Sequence, residues 1–281
     1  MSQIEYFAPG DLGEALDILS RGGVRPVAGG TDFYPGLSAG GPRESLLDLT
    51  RIDGLRGIAR QDGGWRIGAA TRWSDVVRAD LPPAFDGLRA AAREVGSVQI
   101  QNAGTVAGNL VNGSPAADGV PPLLALGAEV EIASAEGRRV VPLERFIMGV
   151  RQVDLAPGEM VVALHLPEPP EGARGAFSKL GSRAYLVISI VMVGVVIARD
   201  GAGRIDHARV AVGACSPVAR RLPALEAALV GTVGDVAVTA AHLEPLSPID
   251  DVRGSGAYRL EAVAELIGRV VRQANGESCD G

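Results

Sequence analysis

The sequence is poor in the residue types on which most enzyme chemistry draws. Its 281 residues include two cysteines, Cys215 and Cys279, which form no C-x-x-C pair and leave too few thiolates for an iron-sulfur cluster or a structural zinc. The three histidines, His165, His207 and His242, are scattered, with no second ligand at helical spacing, so a metal hydrolase and a histidine-based triad both lack their parts. The same scarcity argues against a flavin tethered through histidine. A single lysine, Lys179, stands among twenty-six arginines, and no G-x-x-x-x-G-K-[ST] phosphate loop exists. Basic excess is missing as well: a net charge of −6 offers no footprint for nucleic acid or an acidic membrane surface. The longest apolar run, 184–198, is broken by Ser189 and Gly194, too short to cross a membrane, and reads as a buried strand. Met1 to Glu5 shows no charged segment with an apolar core behind it, so a cytoplasmic protein without membrane insertion is expected.

What the chain has in quantity is apolar residues, at 47%, and glycine, at 38 residues. That is enough for a substantial core and for two or three domains. Asp11 is placed to cap a helix over 12–19 whose inner stripe is Ala15, Leu16 and Leu19. Short strands at 24–28 and 46–49 complete a small βαβ-like unit ending near Gly57. A strand at 66–70 comes next, then a short helix to Ala79 capped by Thr71 or Ser74, and a longer helix over 84–95. Pro121-Pro122 starts a helix through Leu126, and 129–132 and 140–141 alternate as strands about Gly137. The proline-dense stretch 166–172 marks a boundary, beyond which paired strands flank an Asp200-Gly201 turn and helices occupy 223–229 and 260–272. The expected units are 1–57, 58–172 and 173–281.

Two glycine-bearing segments carry the functional signal: Ala28-Gly29-Gly30-Thr31-Asp32 and Thr105-Val106-Ala107-Gly108-Asn109. Each can present backbone N–H groups to a phosphate with no side chain in the way, and two such cradles point to a pyrophosphate held from both sides. Taken alone, Gly29-Gly30 reads equally as a tight turn, with Thr31-Asp32 capping a second turn directly after it. The G-x-G-x-x-G of a Rossmann site is absent, because Gly201-Ala202-Gly203 has Asp206 where the third glycine belongs and reads as a hairpin turn. Asp118, on a loop before the proline-started helix, is placed either to bond a ribityl hydroxyl or to cap that helix. Lys179 stands where a compact ammonium is wanted that a guanidinium does not replace, or is there by chance. With no acid–base constellation evident, a bound cofactor must carry any catalysis.

Six segments in order resemble one family. They are AGGTD at 28–32, IGAATRWSDV at 67–76, QIQNAGTVAGN at 99–109, SPAAD at 114–118, FSKLGSR at 177–183 and DVRGSGAYR at 251–259. Together they are similar to the FAD-binding medium subunit of the molybdenum hydroxylases, the xanthine dehydrogenase and carbon monoxide dehydrogenase group. The resemblance runs essentially end to end. It implies an α+β fold: two FAD-binding subdomains of the vanillyl-alcohol-oxidase (PCMH) type, then a C-terminal α+β domain of the CO dehydrogenase flavoprotein type.

It also implies an oxidoreductase subunit that binds FAD noncovalently. A large molybdopterin subunit would hydroxylate the substrate, and a small subunit with two [2Fe-2S] clusters would relay electrons through FAD to an external acceptor, in a dimer of heterotrimers. By transfer of motif positions, Val27, Ala28, Gly29, Gly30, Thr31, Asp32 and Phe33 wrap the pyrophosphate, and Thr105, Val106, Ala107, Gly108 and Asn109 close the other side. Asp118 serves the ribityl or flavin end, Val161 and Lys179 the adenine end or cleft mouth, and Val95, Gly96 and Tyr185 the isoalloxazine. The family's usual second cradle is Thr-Ile-Gly-Gly-Asn, so Ala107 is a departure that fits only with a negative φ or a methyl turned away from FAD. His-Ser, common in carbon monoxide dehydrogenases, is replaced by Thr31-Asp32, and two distant cysteines do not supply the inserted cluster of the benzoyl-CoA-reducing branch. The rival readings are a self-sufficient FAD oxidase or reductase and a flavin-free assembly scaffold.

Overall fold

The computed structural model describes residues 4–234 and 236–276, and Met1–Gln3 and Cys279 lie outside the described residues. The chain opens with β1 (Tyr6–Phe7), α1 (Leu12–Ser20), β2 (Val24–Val27) and β3 (Ser45–Asp48), whose strands form a parallel sheet in the order β1-β3-β2. Helix α1 starts as its sequence dictates, with the Asp11 carboxylate accepting the Glu14 N–H at 3.1 Å, a cap that contributes about 1 kcal/mol. Its buried Ala15, Ile18 and Leu19 join Leu47, Leu49, Ile52 and Leu55 in one core cluster.

The middle of the chain runs through β4 (Ile58–Gln61), β5 (Gly64–Gly68), α2 (Trp73–Arg78), α3 (Asp86–Glu94), α4 (Val98–Ala103), α5 (Val106–Val111) and α6 (Val120–Ala125). It continues with β6 (Glu129–Ser134), β7 (Gly137–Pro142), α7 (Leu143–Phe146), β8 (Ile147–Gly149), β9 (Gln152–Val153) and β10 (Met160–Pro167). Five of these strands form an antiparallel sheet ordered β4-β5-β10-β6-β7, and β8 and β9 make a separate hairpin. The central strand β10 is covered on both faces: Met160 and Val162 pack with the α1 cluster, while Val161, Leu164 and Leu166 join the larger core around Trp73, Phe85 and Phe146. Strands buried on both sides carry no polar alternation, so periodicity does not reveal β10.

Beyond Pro167 lie β11 (Arg174–Leu180), β12 (Val191–Arg199), β13 (Ile205–Gly213), β14 (Arg220–Arg221), α8 (Pro223–Leu229) and α9 (Gly256–Ala274). The four strands form an antiparallel sheet in chain order. One face packs Val193, Val195 and Ile197 against Val263, Ile267, Val270 and Val271 of α9; the other contributes Val196 and Ala198 to the central core. The apolar run 184–198 divides: only 191–198 belongs to β12, because pairing of Leu180 with Val191 makes the intervening residues the connection, where Tyr185, Leu186 and Ile188 are exposed. The short helix α2 is also capped differently from expectation. Asp75 accepts the Arg72 N–H at 3.1 Å, while the Thr71 hydroxyl bridges Gly57 N–H and C=O, each at 3.0 Å.

Arg259, 1% exposed on α9, is the largest buried charge in the C-terminal unit. Its guanidinium donates to the carbonyls of Ile190 and Ala214 and to Asp251 Oδ1 at 2.6 Å, tying the 251–259 signature to the ends of β12 and β13. Arg259→Met should cost about 3 kcal/mol, since it removes the donor to two carbonyls, while Asp251 keeps its bonds from Arg253. Thermal unfolding of the purified variant checks this, and an unchanged midpoint would show the fork to be dispensable.

Charged groups on the central sheet predict its acid response. Burial alone would raise the Glu131 carboxyl, yet hydrogen bonds from His165 (2.9 Å) and Arg138 (2.6 Å) hold it below its ordinary range. The Arg56 fork lowers Asp75 likewise, and Arg139 lowers Glu159. A carboxyl depressed in the folded state contributes stability that is complete above its unfolded pKa and lost as pH falls through the folded value. These three carboxyls should therefore make the unfolding midpoint fall steeply below pH about 4.

Candidate functional site

The first glycine segment leaves the carboxyl end of β2, the edge where open parallel sheets receive ligands. Gly30 turns the chain at φ +66°, a left-handed conformation that glycine adopts freely. Gly29 is glycine for a different reason: a Cβ there would lie 1.9 Å from the carbonyl oxygen of Ala103, at the end of α4. The segment thus sits directly on the backbone that leads into the second one. Among the described residues, the N–H groups of Gly29, Gly30, Thr31, Asp32 and Phe33 donate to no protein acceptor, and the Thr31 hydroxyl is also without a partner. Neither Thr31 nor Asp32 caps the short helical turn at Tyr34–Gly36, which has no side-chain cap.

The second segment is a helix start rather than a glycine turn. Thr105 caps α5, its hydroxyl accepting the Gly108 N–H at 3.1 Å, and the Val106 N–H is taken by Thr71 O at 2.9 Å. Ala107 is helical and 4% exposed in the central core, so its methyl turns into protein. Gly108 is exposed and Asn109 half-buried.

Both segments line one open cavity of about 470 Å³. Its wall contains Val27 through Phe33, Val95, Thr105, Gly108 and Asn109. The Asn109 amide oxygen is buried with no partner among the described residues. Arg25, Trp73, Ile100, Gly104, Asn112 and Arg151 complete much of the lining, and sequence reasoning missed them. Trp73 and Gly104 lie inside the resembling segments at 67–76 and 99–109, so their place was within reach. Arg25 and Arg151 gave no signal beyond being two arginines among many.

Other expected residues stand elsewhere. Val161 is 4% exposed inside β10, and Val106 and Ala107 are core; none reaches the cavity wall. Gly96 comes after Val95 at φ +56° without lining the cavity, and Tyr185 is 75% exposed on the β11–β12 connection. Asp118 and Lys179 meet each other instead. Lys179 Nζ lies 2.7 Å from Asp118 Oδ2, and also donates to Glu94 O at 3.2 Å; Ser189 Oγ donates to Asp118 Oδ1 at 2.6 Å. Burial pushes the Asp118 carboxyl above its usual range, opposed by Lys179 and Ser189. Asp118 does not cap α6, where Gly119 holds the cap position without a side-chain bond. Lys179 and Glu94 line a second cavity of about 420 Å³, with Ser178 and Arg183. Among the described residues, no three His, Cys, Asp or Glu side chains are grouped to hold a metal ion, and no helix is long and apolar enough to cross a membrane.

The chain is similar to known proteins along nearly its whole length. Residues 2–169 match the model of the FAD binding domain in molybdopterin dehydrogenase, and residues 176–274 that of the CO dehydrogenase flavoprotein C-terminal domain. The chain is 30% identical to the 6-hydroxypseudooxynicotine dehydrogenase complex subunit alpha of Paenarthrobacter nicotinovorans, over 96% of this chain and 94% of that one. Among solved structures it superposes on reconstituted CO dehydrogenase from Oligotropha carboxidovorans with a TM-score of 0.89 at 26% identity, covering 99% of each chain. Quinoline 2-oxidoreductase from Pseudomonas putida 86 gives a TM-score of 0.87 at 27% identity, over 98% of both.

Proposed function

From the premise that this chain belongs to the family of FAD-binding subunits of molybdopterin dehydrogenases, we propose that it is the electron-output subunit of a molybdenum hydroxylase. In this reading it carries electrons from the [2Fe-2S] clusters of a small partner through FAD to an external acceptor. The organic substrate reacts on a large molybdopterin partner. The assembly is a cytoplasmic dimer of heterotrimers.

The observation that carries the reading is the run of five unpartnered N–H groups from Gly29 to Phe33, on a cavity also lined by Thr105, Gly108 and Asn109. Such a run is an anion nest. The residues fit FAD: glycine at 29 lets this backbone seat against Ala103 and glycine at 30 lets it turn at positive φ, which together present the run of N–H groups, and the buried Asn109 amide oxygen has no protein partner. When bound, FAD supplies exchange between one-electron and two-electron carriers. The 27–33 backbone and the Thr31 hydroxyl would hold the pyrophosphate, and Gly108 and Asn109 would complete the wall. We assign Asp118 and Lys179 to a buried pair that sets the position of β11 against α3, behind the cavity rather than in it.

The test is purification of the native material, with its absorbance spectrum, chromatography of heat-released flavin and a gel of co-purifying chains. One FAD per chain with iron-sulfur absorbance and two further bands is the expected result. FAD with this chain alone would overturn the subunit reading in favour of a self-sufficient flavoprotein, and absence of flavin would overturn both.

A further inference from the structure

Arg151 occupies an unusual backbone position. It lies in the turn between β8 and β9 at φ +57°, the left-handed position where hairpin turns ordinarily carry glycine or asparagine. The turn is locked from below. Arg151 N–H donates to Gly113 O at 2.8 Å, and Gly113, itself at φ +59°, is so close that a Cβ on it would lie 3.0 Å from Arg151 Cα. The guanidinium donates to the Asn112 side-chain oxygen, and Arg151 and Asn112 both line the 470 Å³ cavity. No carboxylate pairs with Arg151 among the described residues. The other cationic side chain of this wall, Arg25, has Glu44 at 3.3 Å and stacks on Phe33 at 5.8 Å, and Asp32 adds a negative charge.

We propose that Arg151 is the charge-recognition residue for the dinucleotide pyrophosphate, a cation held in a strained turn to face the anion that the 29–33 backbone receives. The proposal rests on the FAD reading above. Backbone N–H groups supply partial positive charge, whereas a pyrophosphate carries full charges that a guanidinium meets with paired donors. A left-handed arginine costs conformational energy that glycine would not, and the locked turn keeps that side chain in the cavity wall beside Asn112.

The experiment uses the full-length chain stripped of flavin, with FAD, ADP and riboflavin as separate probes at several salt concentrations. ADP carries the pyrophosphate without the flavin, and riboflavin carries the flavin without phosphate. Arg151→Gly removes the charge and relaxes the turn, so its unfolding midpoint should equal or exceed that of the parent. Its Kd for FAD and ADP should rise about ten- to a hundredfold, with a shallower salt dependence and unchanged riboflavin binding. Arg151→Lys, which keeps the charge, should recover part of the loss. Equal FAD and ADP affinity in Arg151→Gly and the parent would overturn the proposal, as would a loss confined to riboflavin. Failure of the parent chain to bind either FAD or ADP would instead overturn the FAD reading itself.

Discussion

Gly29→Ala is expected to abolish FAD retention and to lower stability by about 3 kcal/mol, a larger effect than substitution of the neighbouring Gly30. The added methyl would meet Ala103 O at 1.9 Å, Ala103 C at 2.5 Å and Gly104 N at 2.9 Å. All three are backbone atoms, so no side-chain rotation relieves the overlap. Either the 28–33 segment or the end of α4 must move by more than an ångström, and both carry cavity wall. At Gly30 the obstacle is different: a Cβ would meet the exposed ring of Tyr34 at 2.4 Å, which can swing aside. What remains there is the left-handed backbone, at about 1–2 kcal/mol. Gly40→Ala, where a Cβ meets nothing within 4 Å, serves as the control and should match the parent. Flavin content and unfolding midpoint of the three variants check the ranking. Wild-type flavin content in Gly29→Ala would show that the two segments do not abut.

That ranking marks the boundary of what the sequence discloses. A turn that needs φ > 0 is readable at Gly30, because glycine between a strand and a polar run has few other uses. The need for glycine at 29 is not, because its cause is a carbonyl distant in the chain. The same distinction runs through the fold. Helix α1 is legible from Asp11 and its stripe, and the β12–β13 hairpin from its apolar strands and Asp200-Gly201 turn. Strand β10 is not, because both faces are covered and its residues lack alternation. The second glycine segment reads as a turn until Thr105 is seen to cap a helix and Ala107 to enter the core, which removes the apparent conflict of an alanine in a cradle. Arg151 stayed hidden because a left-handed arginine has no compositional mark.

Lys179 and Asp118 stood out singly in the sequence, one as the lone lysine and the other by its loop, but nothing there pairs them. Their pairing predicts an asymmetry. Asp118→Ala leaves the ammonium of Lys179, whose side chain is 6% exposed, with a carboxylate no nearer than Glu94 at 3.7 Å, and should cost about 3–5 kcal/mol. Lys179→Met should cost less, because burial already raises the Asp118 carboxyl and without the ammonium it can be held protonated. This fixes the sign of the pH response. A carboxyl whose folded pKa lies above its unfolded value contributes stability that is present at low pH and lost as pH rises through the folded value. Lys179→Met should therefore approach the parent's unfolding midpoint near pH 5 and fall progressively behind it toward pH 8, whereas Asp118→Ala, with no carboxyl left to protonate, should remain destabilised across that range. Measured on flavin-free chains, these midpoints isolate the pair from the cofactor. If flavin-free Asp118→Ala melts with the parent and only its FAD affinity falls, the carboxylate belongs to the flavin site, and the assignment of both residues to a pair behind the cavity is wrong.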